Sequence, residues 1–348
     1  MNILITGNSG YVGSTLIKHL KTTYPNYKLF GFDMGYFKNC LTNTSVLPES
    51  NIDHQFFGDV RKIDKNILQN IDVVINLAAI SNDPMGKKYS EITKDVNCNS
   101  SIAIAKLAKE NNVKSFVFAS SCSIYGNGTN KNRTETSEIN PLTEYAKSKV
   151  ETEKELEKLA DNNFCVTSLR FATACGMSDR LRLDLVLNDF IASAIINKKI
   201  QILSDGSPWR PLIHVKDMSR AIEWASFRNE SEGGDYLKVN VGRNEANYQI
   251  KDLALAVKSR FSDIDVDINE DALPDKRSYK VNFNLFNDLA PKHAPNYSLE
   301  QTIDDIKDGL IEMKFNDNDF RNSNLIRLQK LTNLQKNNRL NNNLEWIN

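Results

Sequence analysis

The chain opens on a short apolar run, Asn2 to Thr6, that passes without interruption into Gly7-Asn8-Ser9-Gly10-Tyr11-Val12-Gly13 and then into a segment of helical spacing, Val12 to Lys21. A strand, a glycine loop and a helix in that order form the context a dinucleotide fingerprint requires, and this narrows the fold more than any other feature. Gly7 permits the tight turn, Gly10 lets the backbone approach a pyrophosphate, and Gly13 lets the helix lie close to its strand. The amides of Tyr11 and Val12 and the helix dipole then face the anion. Asp33 ends the next apolar run, 20 residues after Gly13, where its carboxylate would accept hydrogen bonds from the adenosine ribose hydroxyls and repel a 2′-phosphate. NAD rather than NADP is the expected dinucleotide.

The same alternation continues along the chain. Apolar runs at Asn2 to Thr6, Lys28 to Asp33, His54 to Gly58, Val73 to Ala78, Ser115 to Ser120 and Val166 to Phe171 read as strands. Val12 to Lys21, Ile92 to Asn111 and Thr143 to Ala160 read as the helices between them. Continuous runs such as Val73-Val74-Ile75 and Phe116-Val117-Phe118 suit strands covered on both faces. The expected fold is α/β, a Rossmann-type doubly wound parallel sheet with a smaller, interleaved C-terminal substrate lobe. Residues 1–175 are assigned to the NAD-binding domain, with 212–242 returning to it; residues 176–211 and 243–315 form the lobe, and 316–348 a C-terminal extension. Beyond residue 175 the spacing predicts helices at Leu185 to Ile196, Val215 to Phe227 and Tyr248 to Phe261. In the extension, Leu325, Leu328, Leu331 and Leu334 keep a roughly helical spacing ahead of an Asn-rich end, so a packed helix and a frayed tail are both open.

Composition removes several function classes. Lys plus Arg number 44 and Asp plus Glu 44, so no net field draws the chain to nucleic acid or to an anionic membrane. Anionic ligands must be held by local groups. No apolar stretch approaches the ~18 residues of a membrane span, and Asn2 to Thr6 lead into the glycine loop with none of the features of a signal peptide. Cys40, Cys98, Cys122, Cys165 and Cys175 are widely spaced and form no Cys-x-x-Cys pair, which argues against a disulfide framework or zinc site and for a reducing, cytoplasmic setting. His19, His54, His214 and His293 have no metal-ligand spacing, so no metal is expected.

Tyr145 and Lys149 stand four apart in a helix expected to begin near Thr143, which puts both side chains on one helix face. A free phenol has a pKa of about 10, and bringing it to about 7 takes roughly 4 kcal/mol of preferential stabilisation, which a neighbouring ammonium and a nicotinamide cation are suited to supply. Such a phenolate is a general base for a substrate hydroxyl. By itself the pair would be an ordinary surface couple; the segment Ser120-Ser121-Cys122-Ser123-Ile124-Tyr125-Gly126 changes that reading. A hydroxyl just past a strand's carboxyl end points into the crevice where α/β sheets bind ligands, so Ser121 can hydrogen-bond the same reacting oxygen.

These motifs, together with Gly58-Asp59-Val60-Arg61 and Asn76-Leu77-Ala78-Ala79, resemble the extended short-chain dehydrogenase/reductase family, which includes NAD-dependent nucleotide-sugar 4-epimerases and 4,6-dehydratases. The resemblance runs to about residue 315. It implies that Asp59 and Val60 flank the adenine, that Leu77, Ala78 and Ala79 line the cofactor channel, and that Lys149 also holds the nicotinamide ribose. Ser121, Tyr145 and Lys149 would be the catalytic triad, the substrate a nucleotide-sugar, and the assembly a homodimer through the helices at 92–111 and 143–160. Arg210 occupies the position of an arginine that grips the substrate diphosphate, a task its bidentate fork suits, and a surface arginine stacked on Trp209 is the plain alternative. Asn188 falls where the family often carries an asparagine near that diphosphate. Ala272 falls where many members carry a second arginine, which leaves Arg277 as the substitute; Ser81, Cys122 and Ser123 complete the expected substrate contacts. The stretch Asp179-Arg180-Leu181-Arg182-Leu183-Asp184, continuing to Phe190, together with Pro274-Asp275-Lys276-Arg277 resembles a subgroup that includes C4 dehydrogenases of nucleotide-linked sugars.

By the same resemblance, loss of water from C5 and C6 needs an Asp-Glu pair directly after the catalytic hydroxyl, where this chain has Cys122 and Ser123. Epimerisation at C3 and C5 uses a cysteine two residues beyond the serine, and Ser123 fills that slot; Cys122 is more readily a small packed residue. Chemistry needing only the triad and NAD is left. The expectation is a 4-epimerase, with a C4 dehydrogenase or reductase as runner-up and a non-catalytic dinucleotide sensor as the rival of another class.

Overall fold

The computed structural model describes residues 1–127, 131–272 and 277–347. Its strands in chain order are β1 (Asn2–Thr6), β2 (Lys28–Asp33), β3 (His54–Phe57), β4 (Val73–Asn76), β5 (Ser115–Ser121), β6 (Cys165–Phe171), β7 (Thr173–Cys175), β8 (Lys199–Ile202), β9 (Trp209–His214), β10 (Tyr236–Val241), β11 (Asn247–Gln249) and β12 (Asp265–Ile268). Seven of them pair in parallel in the order β10-β6-β5-β4-β1-β2-β3. The fold is the Rossmann-type α/β architecture expected.

Alternate residues of each central strand explain the two-sided cover. Ile3 and Ile5 of β1, Val73 and Ile75 of β4 and Val117 of β5 pack into the core shared with helices Tyr11–Thr23 and Val215–Phe227. Leu4, Val74, Phe116 and Phe118 enter a second core, with Ile104, Ala105 and Ala108 of helix Ser100–Glu110 and Leu156 of helix Glu144–Leu159. Each large apolar side chain so buried contributes about 1.5–3 kcal/mol, which is why these strands carry no polar face. The helix expected at 92–111 is interrupted: Ser90–Lys94 runs into a π-helical turn, Asp95–Asn99, before Ser100–Glu110. The turn brings Asn97 inward, where its amide donates to the Ile80 carbonyl at 3.0 Å and accepts the Ile80 N–H at 2.7 Å.

The strand order reverses between β4 and β1, with β2 and β3 to one side and β5, β6 and β10 to the other. A crevice opens there at the carboxyl ends of the strands. After β7 the chain builds smaller sheets, β11-β9-β7 and β12-β8. Helices Val186–Asn197, Ile250–Ser259 and Leu299–Glu312 bury Leu187, Ile191, Leu253, Val257, Ile303 and Ile306 among themselves. The segment 212–242 is divided between these parts: β9 belongs to the three-stranded sheet, whereas β10 pairs with β6. The C-terminal leucine pattern forms a packed helix, Arg327–Lys336, and Leu331, Leu340 and Leu344 join Ile80, Met85 and Tyr89 in a core of their own. All five cysteines are free thiols, and no described helix is long and apolar enough to cross a membrane.

Candidate active site

A cavity of about 980 Å³ lies in that crevice, at the upper end of the size usual for small-molecule sites. The glycine loop forms one end. Gly7 has φ of +73°, and a Cβ on it would stand 2.6 Å from the Ala78 backbone nitrogen, so only glycine fits. A Cβ on Gly13 would lie 2.5 Å from the Asn8 carbonyl oxygen, whereas on Gly10 it would meet only the Gly7 carbonyl, at 3.1 Å. Gly10 thus leaves the backbone open at the start of helix Tyr11–Thr23, as an approaching anion needs. Tyr11 is anchored by its hydroxyl donating to the Gly176 carbonyl at 2.7 Å.

Asp33 accepts the Ser9 N–H at 3.1 Å and the Gly35 N–H at 2.7 Å, which fixes its carboxylate beside the loop, and burial raises its pKa. Asp59 caps a short turn, Val60–Lys62, and pairs with Arg61. Val12, Val60, Leu77, Ala78, Ala79 and Asp33 line the same cavity as the three glycines. The cradle therefore fits a dinucleotide: open amides at a helix start, glycines whose replacement would fill the space, and a carboxylate at the end of β2.

At the far end Ser121, the last residue of β5, stands beside the Tyr145 phenol and lowers its pKa, and it accepts the Ser123 N–H at 3.1 Å. Thr143 caps the helix that carries Tyr145 and Lys149, its hydroxyl accepting the Ala146 N–H at 3.2 Å. The Lys149 amine sits 4.6 Å from the Phe118 ring centroid and 5.5 Å from that of Tyr145. Burial dominates both groups, lifting the phenol to about 12 and lowering the amine to about 7. Lys149 is not among the groups that shift the phenol. The groups that lower the phenol are Ser121 and the more distant Arg182, while Asp83 raises it.

Among the expected substrate contacts, Ser81, Ser123, Arg210 and Arg277 line the cavity, and Cys122 and Asn188 do not. The Cys122 thiol is buried against the Arg170 carbonyl at 3.1 Å, and burial pushes it well above its ordinary range. Asn188 is also fully buried. Its amide accepts the Gly176 N–H at 3.2 Å and donates to the Arg182 carbonyl at 2.9 Å, so it shapes the wall rather than facing a ligand. Arg210 stacks over Tyr279, 5.6 Å from the ring centroid, and it is Lys280 that covers Trp209. Arg277 pairs with Asp83 at 2.5 Å, and Asp83 also accepts the Thr143 hydroxyl at 2.7 Å. Pro274, Asp275 and Lys276 lie outside the described residues.

Sequence reasoning missed Asp83, Arg182, Asp184, Tyr279 and Arg327, all of which line the cavity. Arg182 forms a two-point pair with Asp184 at 2.9 and 3.1 Å and donates to the Ser81 hydroxyl at 3.0 Å. Burial alone would raise the Asp184 carboxyl; Arg182 outweighs it and holds the group below its ordinary value. A signal existed, since Leu181 and Leu183 are fully buried and alternate with Arg182 and Asp184.

The family model described as NAD dependent epimerase/dehydratase family matches residues 3–242. An uncharacterized UDP-glucose epimerase of Bacillus subtilis is 27% identical over 234 residues, 64% of this chain and 71% of that protein. A dTDP-D-glucose 4,6-dehydratase of Dictyostelium discoideum is 26% identical over 276 residues, 74% of this chain and 61% of that protein. Among solved structures, UDP-glucuronic acid 4-epimerase from Bacillus cereus, in complex with UDP-glucuronic acid and NAD, shares the fold with a TM-score of 0.73 at 22% identity, covering 90% of this chain and 100% of that one. The chain belongs to the NAD dependent epimerase/dehydratase family, and NAD is its cofactor.

Proposed function

We propose that the protein is a nucleotide-sugar 4-epimerase in which Ser121, Tyr145 and Lys149 are the catalytic residues. The reading is carried by one contrast. Ser121 and Tyr145 meet in the same cavity as the glycine loop, while the side chain directly after Ser121, that of Cys122, is packed away on the Arg170 carbonyl. Cys122 and Ser123 therefore supply no acid–base pair there for loss of water, which leaves chemistry at C4.

Bound in the glycine cradle, NAD would supply the acceptor and donor for a hydride at the sugar carbon. Tyr145 takes the proton of the C4 hydroxyl and gives it back in the reverse step, and Ser121 donates a hydrogen bond to the same oxygen. Lys149 would hold the nicotinamide ribose. Arg210 and Arg277 hold the substrate diphosphate by charge-assisted bonds, a fixed end about which the ketone turns to present its other face. The Ser123 hydroxyl, buried in the cavity wall and without a hydrogen-bond partner among the described residues, contacts the sugar. The same reading includes a cytoplasmic homodimer joined through the helices at 92–111 and 143–160.

The test is proton NMR of UDP-, dTDP-, GDP- and CDP-hexoses incubated with the protein and NAD, where inversion at C4 is expected for one of them. Tyr145→Phe should lower kcat by about 10²–10⁴-fold while leaving NAD affinity unchanged. Accumulation of NADH and a 4-keto sugar with no inverted product would instead identify a dehydrogenase.

A further inference from the structure

Arg182 and Arg327, from two distant stretches of sequence, line the cavity with Arg180 beside Arg327, and the three are not equivalent. Arg180 pairs with Glu49 at 2.9 Å, and Arg182 with Asp184. Arg327, the first residue of the C-terminal helix, pairs with no carboxylate among the described residues, although it is only 1% exposed. Its guanidinium lies over the Phe37 ring, 4.5 Å from the centroid, and Nη2 donates to the Arg180 carbonyl at 2.7 Å. Nη1 is buried and has no hydrogen-bond partner among the described residues, and the side chain lines the cavity. Burial lowers the group to about 10, and the neighbouring Arg182 and Arg180 act in the same direction. Asp184, already held by Arg182, and the Cys40 thiol oppose burial only in part; a buried cation so incompletely compensated is expensive unless an anion completes it, and a short polar helix gives no reason of its own to bury one.

The anion that fits is set by position. Arg327 lines the same cavity as Gly7, Gly10, Tyr11, Val12 and Gly13, the loop and helix start that form the glycine cradle. The segment carrying Arg327 then crosses to the loop just beyond Asp33: the Trp346 indole N–H donates to the Met34 carbonyl at 2.6 Å, and the Tyr36 hydroxyl donates to the Leu344 carbonyl. We infer that Arg327 binds the diphosphate of the dinucleotide, and that residues 327–347 form a strap closing over it. The fork geometry of a guanidinium matches phosphate oxygens, two N–H groups to two acceptors. The inference rests on the cofactor and is independent of the reaction at the sugar.

The experiment is calorimetric titration of the full-length protein with NAD, ADP, adenosine and UDP, comparing wild type, Arg327→Gln and Arg327→Lys, with melting of each ligand-free protein. Arg327→Gln should weaken NAD and ADP by about tenfold to a hundredfold, the range of a charge-assisted hydrogen bond, and leave adenosine and UDP unchanged. Its ligand-free melting temperature should hold or rise, because an incompletely compensated buried charge is removed. Arg327→Lys keeps the charge without the fork and should fall between the two; it carries the same comparison if the Gln variant does not fold. Equal losses for NAD and adenosine would mean a merely structural arginine, and losses confined to UDP would assign it to the substrate. Either result, or unchanged NAD affinity, overturns the inference, whereas a failed epimerase assay leaves it standing.

Discussion

Replacing Lys149 by Met should stabilise the ligand-free protein, and most strongly at low pH. The Lys149 amine is enclosed between the Phe118 and Tyr145 rings, and burial, offset only in part by Glu153, lowers it from 10.5 to about 7. Below that value the amine is protonated in both the folded and the unfolded chain, so the fold bears the whole cost of a buried ammonium. The difference between 10.5 and about 7 puts this cost on the order of 5 kcal/mol. From about 7 to 10.5 the unfolded chain holds a proton that the folded one lacks, so wild-type stability rises with pH across this window. Above it neither state is charged and the cost is gone. Met matches the length and apolar stem of Lys without the charge, so the advantage of the variant should be full at about pH 6 and shrink steadily through about pH 8 and 9.5. Urea denaturation of both ligand-free proteins, followed by tryptophan fluorescence, measures it. A variant less stable at every pH, or a gain that does not change with pH, would refute the reasoning.

Two further outcomes follow from the same geometry. Gly7→Ala drives a methyl to 2.6 Å from the Ala78 nitrogen at φ +73°, strain of about 1–2 kcal/mol before any displacement of the loop, and should weaken NAD binding by about tenfold or more in a calorimetric titration. Glu153→Gln removes the carboxylate that accepts from Arg170 at 2.6 Å and from the Ser120 hydroxyl at 2.5 Å, and leaving a buried guanidinium unpaired should cost about 3–5 kcal/mol, read as a clear fall in melting temperature.

What could be read from the sequence was whatever depends on local order. The runs at Val73 to Ala78 and Ser115 to Ser120 announce strands because covered strands leave no room for polar alternation, and the glycine loop announces its turn because its conformations exclude side chains. Side-chain direction at single positions was harder to read. Cys122 and Ser123 are adjacent, yet one packs on the Arg170 carbonyl and the other faces the cavity, since a short 3₁₀ turn, Cys122–Tyr125, sends neighbouring side chains to different sides. Asn188 matched a position and not an orientation: on helix Val186–Asn197 it faces the backbone of residues 176 and 182. Arg327 was beyond reach altogether, because its surroundings are Phe37 and the Arg180 carbonyl, brought to it only by the folded chain.

The behaviour of Tyr145 follows from the same division. Its motif partner Lys149 faces the ring of the phenol, and the charges that act on its pKa come from elsewhere in the chain, Asp83 at the start of helix Asp83–Lys88 raising it and Arg182 lowering it. Asp83 is itself tied to Arg277, and Arg182 to Asp184 and Ser81. The helix therefore carries the reacting oxygen towards Ser121, while its acidity is set first by burial and then adjusted by Ser121, Asp83 and Arg182. Geometry encoded by a four-residue spacing is robust to changes elsewhere in the chain; an acidity balanced between such ion pairs is not. For that reason the Tyr-x-x-x-Lys helix fixes where the phenol of this chain sits, and burial, with Ser121, Asp83 and Arg182 around it, sets how readily it gives up its proton.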